Sequence, residues 1–359
     1  MKVAVFLPSG SLGGAEQVLL QIANAYAERG VVVHVYLLTN LKADDFKKRL
    51  RDNIKLICFE TGRESIGIFK FFMHFVRTYN NCEFDFAYSS HVHLNAFVSV
   101  LRKFSALRIK KHIVRESTLI FNRFTGYRLK LFSFLYNIGY GKVDLIICQT
   151  ELMKAHLVRN KPKLNTEKTV VINNPITPLN ANVKFSNPYV GKQYIVSAGR
   201  LIPEKGFDLL IKAYQKTLVQ FPELELVILG EGSCRLALTE QIEKADLTNR
   251  VHLRGWTNDV YSYFKYAKAC VVASRIEGFP NVLLQMMTVN NSVASTLCAG
   301  GVDEIEGIHT CMVNNVDELS NAILLALRTD QIETRKLFDA FLDKNNIITY
   351  IRTIEQNVN

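Results

Sequence analysis

The chain has 359 residues, 48% hydrophobic and 21% charged, with a formal net charge of +11. That length exceeds one typical core and suits two domains of roughly 150–180 residues each. The composition excludes a disordered chain, and no run of about 18 uncharged apolar residues is available to span a membrane. In chain order, Val3 to Leu7 reads as a short apolar strand ending at Pro8, too short with its lead-in to be a signal peptide. The turn that follows carries Gly13 and Gly14, where backbone N–H groups approach an anion with no Cβ in the way. It is not a Gly-x-Gly-x-x-Gly fingerprint, and Asp44 and Asp45 lie too far past the next strand for a ribose, which argues against a dinucleotide oxidoreductase. Apolar residues from Ala15 to Tyr26 recur at helical spacing, and Gly30 closes that helix. Strands are expected at Val31–Leu38, Ile54–Phe59, Phe84–Ser89, Lys111–Arg115 and Leu145–Cys148, with helices at Ile66–Thr78 and Leu94–Arg102.

Charge is unevenly placed. Residues 1–175 hold 26 Lys+Arg against 13 Asp+Glu, and residues 176–359 hold 18 against 20. Within 102–130, nine cations from Arg102 to Lys130 face one acid, Glu116, with aromatic residues interleaved. Anionic lipid and nucleic acid are the competing partners for such a segment. The aromatic content suits a membrane interface, so an anionic membrane surface is expected and nucleic acid is not. Ordinary solvated basic surface is the bland alternative. The cysteines Cys58, Cys82, Cys148, Cys234, Cys270, Cys298 and Cys311 stand singly, as buried hydrophobes in a reducing cytosol do.

Two prolines and a polar run make 176–191 the expected linker. The alternation then restarts, with strand Tyr194–Ala198, helix Phe207–Phe221 and strand Leu224–Leu229. Helix Cys234–Ala245, with Ser233 as its expected cap, and strand Val251–Leu253 follow. Helix Asp259–Ala267, strand Cys270–Ala273 and helix Asn281–Val289 come next, then helices near Glu318–Leu327 and Arg335–Tyr350. Between the first strand and helix of this half, Arg200 and Lys205 project from a loop, two cations suited to flanking a diphosphate. After the later strand, Glu277 stands ahead of a helix opening near Pro280, and Gln285 lies eight residues on.

The run Gly199-Arg-Leu-Ile-Pro-Glu-Lys-Gly-Phe-Asp208, together with Glu277-Gly-Phe-Pro-Asn-Val-Leu-Leu-Gln285, resembles the donor half of retaining glycosyltransferases of family 4. The resemblance is strong from about 193 to 305 and suggestive before that. It implies an α/β GT-B fold of two Rossmann-like lobes: an acceptor lobe at 1–180, a nucleotide-sugar lobe at 190–330, and a C-terminal helix at 331–359 packing back toward the first lobe. It implies Arg200 and Lys205 on the leaving diphosphate, Glu277 on the donor sugar, and Gly13, Gly14, Gly230, Glu231, Gly278, Phe279 and Gln285 at the donor. Gly300, Gly301 and Glu304 resemble the turn that closes on the phosphates, and Trp256 reads as packing rather than base stacking. The family's second glutamate is Gln285 here, which keeps a hydrogen-bond acceptor and loses its charge, at a cost of roughly 1 kcal/mol.

On the acceptor side His91, His93 and Asn95 follow a strand. Arg115 and Glu116 stand where relatives carry a histidine; the role of Glu116 is open between pairing and acceptor contact. The resemblance implies retaining transfer with no metal and no cofactor beyond the nucleotide sugar, expected to be a UDP-sugar. The expected acceptor is a polyprenyl-diphosphate-linked saccharide of bacterial surface polysaccharide such as O-antigen or lipopolysaccharide. The expected location is the cytoplasmic face of the inner membrane. The alternatives are an impaired GT-B-like nucleotide- or membrane-binding protein and a transferase with a soluble acceptor.

Overall fold

The computed structural model describes residues 1–77, 83–179, 183–329 and 331–358; Cys82, Thr78 and part of the expected linker, residues 180–182, lie outside them. Most of the apolar strands are followed by a helical stretch, and a crossover of that kind returns the chain to pair in parallel. The first unit comprises Met1–Thr177 with Asn346–Asn359, and the second comprises Pro178–Asn345.

The first unit runs β1 (Lys2–Leu7), α1 (Gly14–Glu28), β2 (Val32–Leu37), α2 (Ala43–Lys47), β3 (Lys55–Cys58), α3 (Glu64–Arg77) and β4 (Glu83–Ser90). It continues through α4 (Val92–Lys103), β5 (Arg108–Arg115), α5 (Ile120–Arg123), α6 (Gly126–Gly139), β6 (Leu145–Cys148), α7 (Glu151–Asn160) and β7 (Thr169–Val171). The strands form one parallel sheet in the order β3-β2-β1-β4-β5-β6-β7. Alternate residues of β1 face opposite ways: Val3, Val5 and Leu7 pack against α1, and Ala4 and Phe6 pack on the side of α3 and α4. On that second side Phe71 of α3 meets Phe97 of α4 at 5.3 Å between ring centres. A Cβ on Gly139 of α6 would come within 2.3 Å of Ala96 Cα, so α3 and α6 flank α4.

The second unit runs β8 (Tyr194–Ala198), a 3₁₀ turn (Pro203–Lys205), α8 (Phe207–Thr217), β9 (Glu225–Leu229), α9 (Arg235–Lys244) and β10 (Val251–Gly255). After it come α10 (Val260–Tyr266), β11 (Ala269–Val272), α11 (Asn281–Val289), β12 (Val293–Thr296), β13 (His309–Cys311), α12 (Val316–Ala326) and α13 (Gln331–Lys344). Its parallel sheet has the order β10-β9-β8-β11-β12-β13. This is an α/β protein of two Rossmann-like sheets.

The expected terminal helix is two helices. The chain breaks at Asn345–Asn346, where Asn346 Oδ1 accepts from Thr349 N at 2.8 Å and starts α14 (Ile347–Val358). An asparagine side chain that satisfies an otherwise orphaned N–H is a helix start, and periodicity alone does not separate it from a helix interior. Ile347, Tyr350, Ile351 and Ile354 of α14 sit in the α1 core, and the Tyr26 hydroxyl donates to Glu355 at 3.1 Å. Ser233 does not cap α9; Cys234 holds that position without a side-chain bond. No helix among the described residues is long and apolar enough to cross a membrane.

Candidate functional site

In each sheet the strand order reverses once, between β1 and β4 and between β8 and β11. The crevice at the carboxyl ends of such a pair is where open α/β sheets hold ligands. The loops the sequence singled out leave those very strands: Gly13 and Gly14 after β1, His91 after β4, Arg200 and Lys205 after β8, and Glu277 after β11.

In the second unit the loops are knit to one another by backbone hydrogen bonds. Gly199 N donates to Leu229 O at 2.9 Å, Leu201 N to Glu231 O at 2.9 Å and Gly230 N to Gly255 O at 2.7 Å. Gly230 has φ +138, and a Cβ there would lie 1.9 Å from Gly199 O. The glycine is required by this loop-to-loop approach. Gly206, with φ +63, is held in the same way against Ala273 O. The 3₁₀ turn aims Lys205 inward, and its Nζ meets Glu277 Oε1 at 2.5 Å, each side chain 18% exposed. Ser274 Oγ donates to the same oxygen at 2.8 Å. Glu277 N is anchored to Cys298 O at 2.8 Å and Ser274 O accepts from Thr296 Oγ1 at 2.6 Å, which ties the loop to the end of β12. Arg200 is exposed, and among the described residues its side chain makes no hydrogen bond or ion pair.

The residue that sequence reasoning missed is Arg275. Its guanidinium grips Asp208 with two bonds, 2.8 and 2.7 Å, and also donates to Pro203 O at 2.6 Å and Asn314 Oδ1 at 2.9 Å. Its own N–H bonds Glu204 O at 2.7 Å. One side chain therefore fixes the Lys205 loop to the Glu277 loop. Burial alone raises the Asp208 carboxyl, but the Arg275 hydrogen bonds outweigh it and hold the group below its ordinary value. We expect Arg275→Ala to lower kcat/KM by about 1–2 kcal/mol, the scale of a half-exposed charge-assisted pair. Asp208→Asn should do the same, and the double variant should cost little more than either. Additive losses in steady-state kinetics would dissolve the clasp.

The other donor-side residues differ in exposure and partners. Phe279 and Gly278 are buried, so they shape the loop instead of facing outward. Glu231 is exposed and paired to Arg235 at 2.9 Å, one helical turn on. Gln285 is half-buried on α11 and hydrogen-bonds the Tyr261 hydroxyl, whose pKa burial pushes up to about 12. Trp256, expected to pack, is 56% exposed. Glu304 is exposed and Gly301 has φ +80.

In the first unit Gly13 is the N-cap of α1, and a Cβ on it would strike Glu16 Oε2 at 2.5 Å. Glu16 is buried, with His91 Nε2 3.7 Å from its carboxylate. His91 opens α4 at φ +78, a conformation a non-glycine residue adopts only at a cost of about 1–3 kcal/mol. His93 is neutral, because burial pushes its pKa down to about 4. Among the described residues its Nε2, 3.6 Å from a Glu64 carboxylate oxygen, and Asn95 Oδ1 have no hydrogen-bond partner, though Asn95 Nδ2 donates to Tyr140 at 2.7 Å. Arg115 is buried and donates to Asn174; burial lowers its pKa, and Tyr350, Glu16 and Glu116 favour its charge.

Glu116 is buried and paired. Both of its oxygens are taken, by the hydroxyls of Tyr136 and Tyr140 at 2.5 Å each, and burial raises its pKa. Tyr136 lies on α6, a helix the sequence reading did not identify, and Tyr140 is its C-cap one turn on.

The basic segment 102–130 is also not one patch. Arg102 is spent on Asp144 at 2.5 Å and on three backbone carbonyls; Lys110 pairs with Asp85 at 2.7 Å, and Lys111 donates to Val358 O. Lys103 and Arg108 sit at the amino end of the sheet, while Arg123, Arg128 and Lys130 sit where α5 and α6 leave its carboxyl end. Among the described residues no cluster of three His, Cys, Asp or Glu is placed to hold a metal.

Comparison with known proteins gives two family models in succession. "Glycosyltransferase Family 4" matches residues 12–178 and "Glycosyl transferases group 1" matches residues 180–340. An uncharacterised glycosyltransferase of Haemophilus influenzae is 24% identical over 92% of both chains. The N-acetylgalactosamine-N,N'-diacetylbacillosaminyl-diphospho-undecaprenol 4-alpha-N-acetylgalactosaminyltransferase of Campylobacter jejuni is 32% identical over 59% of this chain and 57% of its own. The chain spans about half the length of such partial curated relatives. Among solved structures, Anabaena HepE in complex with UDP-glucose superposes over 100% of this chain and 99% of its own, with a TM-score of 0.81 at 19% identity.

Proposed function

Because the chain belongs to the GT-B glycosyltransferases, matched in succession by two of their family models, we propose that it moves a sugar from a UDP-sugar to a lipid-linked saccharide. The observation that carries this is the second-unit switch point, where the Lys205–Glu277 pair lies in the loops after β8 and β11 and Arg200 is left without an internal partner. A cation that needs an anion and a carboxylate able to accept from sugar hydroxyls are what a sugar diphosphate requires of a site.

In the proposed reaction the bond from the sugar's anomeric carbon to the β-phosphate oxygen breaks, and the electron pair leaves with the diphosphate. Arg200 and Lys205 meet that growing charge, so they act on the transition state as well as on binding. Lys205 has three donors and keeps Glu277 while it turns another toward phosphate. The acceptor hydroxyl attacks from the leaving-group face, its proton passes to the departing phosphate oxygen, and the configuration is retained. No divalent ion is required in this reading, because fixed cations and helix N-termini take up the charge. UDP as carrier is supported by the fold shared with HepE, solved with UDP-glucose. A polyprenyl-diphosphate acceptor at the inner membrane, in surface-polysaccharide assembly, is supported by the Campylobacter relative's printed substrate.

A melting screen over uridine, guanosine and adenosine diphosphate sugars tests the donor, since a ligand that binds only the folded state raises its stability. We expect a uridine sugar to give the largest shift and hydrolysis of that donor to persist in excess chelator. A shift only on adding divalent ions would overturn the metal-free reading, and a shift with no hydrolysis or transfer of any donor would favour an impaired, binding-only protein.

A further inference from the structure

We infer that the first unit lies on an anionic bilayer through the outer faces of α3 and α6; this rests on the membrane-peripheral reading and places its contact surface.

On α3 the side chains of Ile66, Phe69, Phe72 and Val76 are 46%, 65%, 42% and 45% exposed, while Gly67, Phe71 and Phe75 are buried beneath them. On α6 Tyr127, Leu131, Phe134 and Ile138 are 79%, 44%, 58% and 44% exposed, above buried Tyr136 and Gly139. The α6 residues recur at four, three and four positions, which lines them along one side of the helix. Both helices bury one apolar face and leave a second in water, on the same side of the sheet and on either side of the sunken α4. Exposed apolar stripes of this size mark a contact surface.

The charge beside them identifies the occupant. From residue 117 to 143 the chain has no acidic residue, and Arg123, Arg128 and Lys130 flank the α6 stripe. Lys70 and Arg77 flank the α3 stripe, with Glu64 at the first turn the helix's one acid. Apolar and aromatic side chains bordered by cations are what interfacial anchoring to anionic lipid uses. A second copy fits badly, because a symmetric pairing of the same face would set Arg128 and Lys130 against their own kind.

The test is co-sedimentation of the full chain with vesicles of phosphatidylcholine, with and without phosphatidylglycerol. Wild type should bind the anionic vesicles and be partly released by salt, because surface charge is screened within about 10 Å. Phe69→Ser with Tyr127→Ser and Phe134→Ser should weaken binding by about tenfold or more. Arg123→Glu with Arg128→Glu and Lys130→Glu should nearly abolish it. The control Lys47→Glu with Lys48→Glu, at the end of α2, whose Phe46 packs in the α1 core on the other face of the sheet, should bind as wild type does. Each variant must keep its nucleotide-sugar melting shift, and the single substitutions replace any triple variant that does not.

If wild type ignores anionic vesicles while still hydrolysing donor, the surface is lost and the transferase reading stands. If the control variant releases the protein and the α6 variants do not, the contact lies elsewhere. If the serine variant dissociates a dimer and vesicle binding is absent, the face joins two copies and this inference fails.

Discussion

Lys205→Ala should lower kcat/KM by about 2–4 kcal/mol, or about 30- to 1,000-fold, the range for removing a preorganised charge partner of a transition state. Arg200→Ala should fall in the same range by a different route. Among the described residues Arg200 has no internal partner, so its removal leaves no other side chain stranded, and the fold should melt as wild type does. Removing Lys205 leaves Glu277 with Ser274 as its remaining partner at that oxygen, so a small loss of stability should accompany the kinetic effect. Glu277→Gln separates the two roles. It frees Lys205 for phosphate and should bind UDP at least as tightly, yet it should transfer sugar poorly. Near-wild-type turnover in Arg200→Ala and Lys205→Ala would end the assignment of the diphosphate site.

Acid should destabilise the first unit through two histidines. His112 is buried, with its ring nitrogens on Ser89 Oγ at 2.9 Å and Ser99 Oγ at 3.2 Å. Burial first, and Arg102 second, push its pKa from 6.5 down to about 3. His93 behaves alike, pushed down to about 4 by burial and by His91. A histidine depressed in the folded state is neutral there while its unfolded counterpart takes up a proton. Stability from each is therefore whole above pH 6.5 and lost as pH falls toward 4 for His93 and 3 for His112. Each group steepens the loss by about 1.4 kcal/mol per pH unit across its window. Urea melts of the whole protein at pH 7, 5.5 and 4.5 measure it, with His112→Asn expected to remove one group's share of the slope. An unchanged slope in that variant would mean that the ring is protonated in the folded state.

Much of the second unit was legible beforehand because its signals are local. Strand β8 matches the expected Tyr194–Ala198, and α11 matches Asn281–Val289. Continuous apolar runs cut by Gly and Pro specify buried parallel strands with little dependence on distant partners. In the first unit Gly30 does close α1 in the left-handed region, as an apolar helix stopped by glycine requires. Helix α6 escaped notice for a physical reason. It carries apolar residues on its buried and its exposed side, so no single-face pattern marks it, and its cations drew attention instead.

By itself the sequence determined the alternation, the two-unit count, and the loops that would sit at the strand ends, because those follow from periodicity and turn chemistry. The tertiary structure decided which side chains those loops spend on each other. Lys205 and Glu277 are 72 residues apart and share a bond, Arg275 reaches Asp208 across 67, and Arg115 meets Asn174 across 59. It also divided nine neighbouring cations: Arg102, Lys110, Lys111 and Arg115 are held by Asp144, Asp85, backbone carbonyls and Asn174, and Lys103, Arg108, Arg123, Arg128 and Lys130 are exposed. A charge in sequence is a possibility; whether it stays available depends on what the fold sets within about 4 Å of it, and that distance has no trace in linear order.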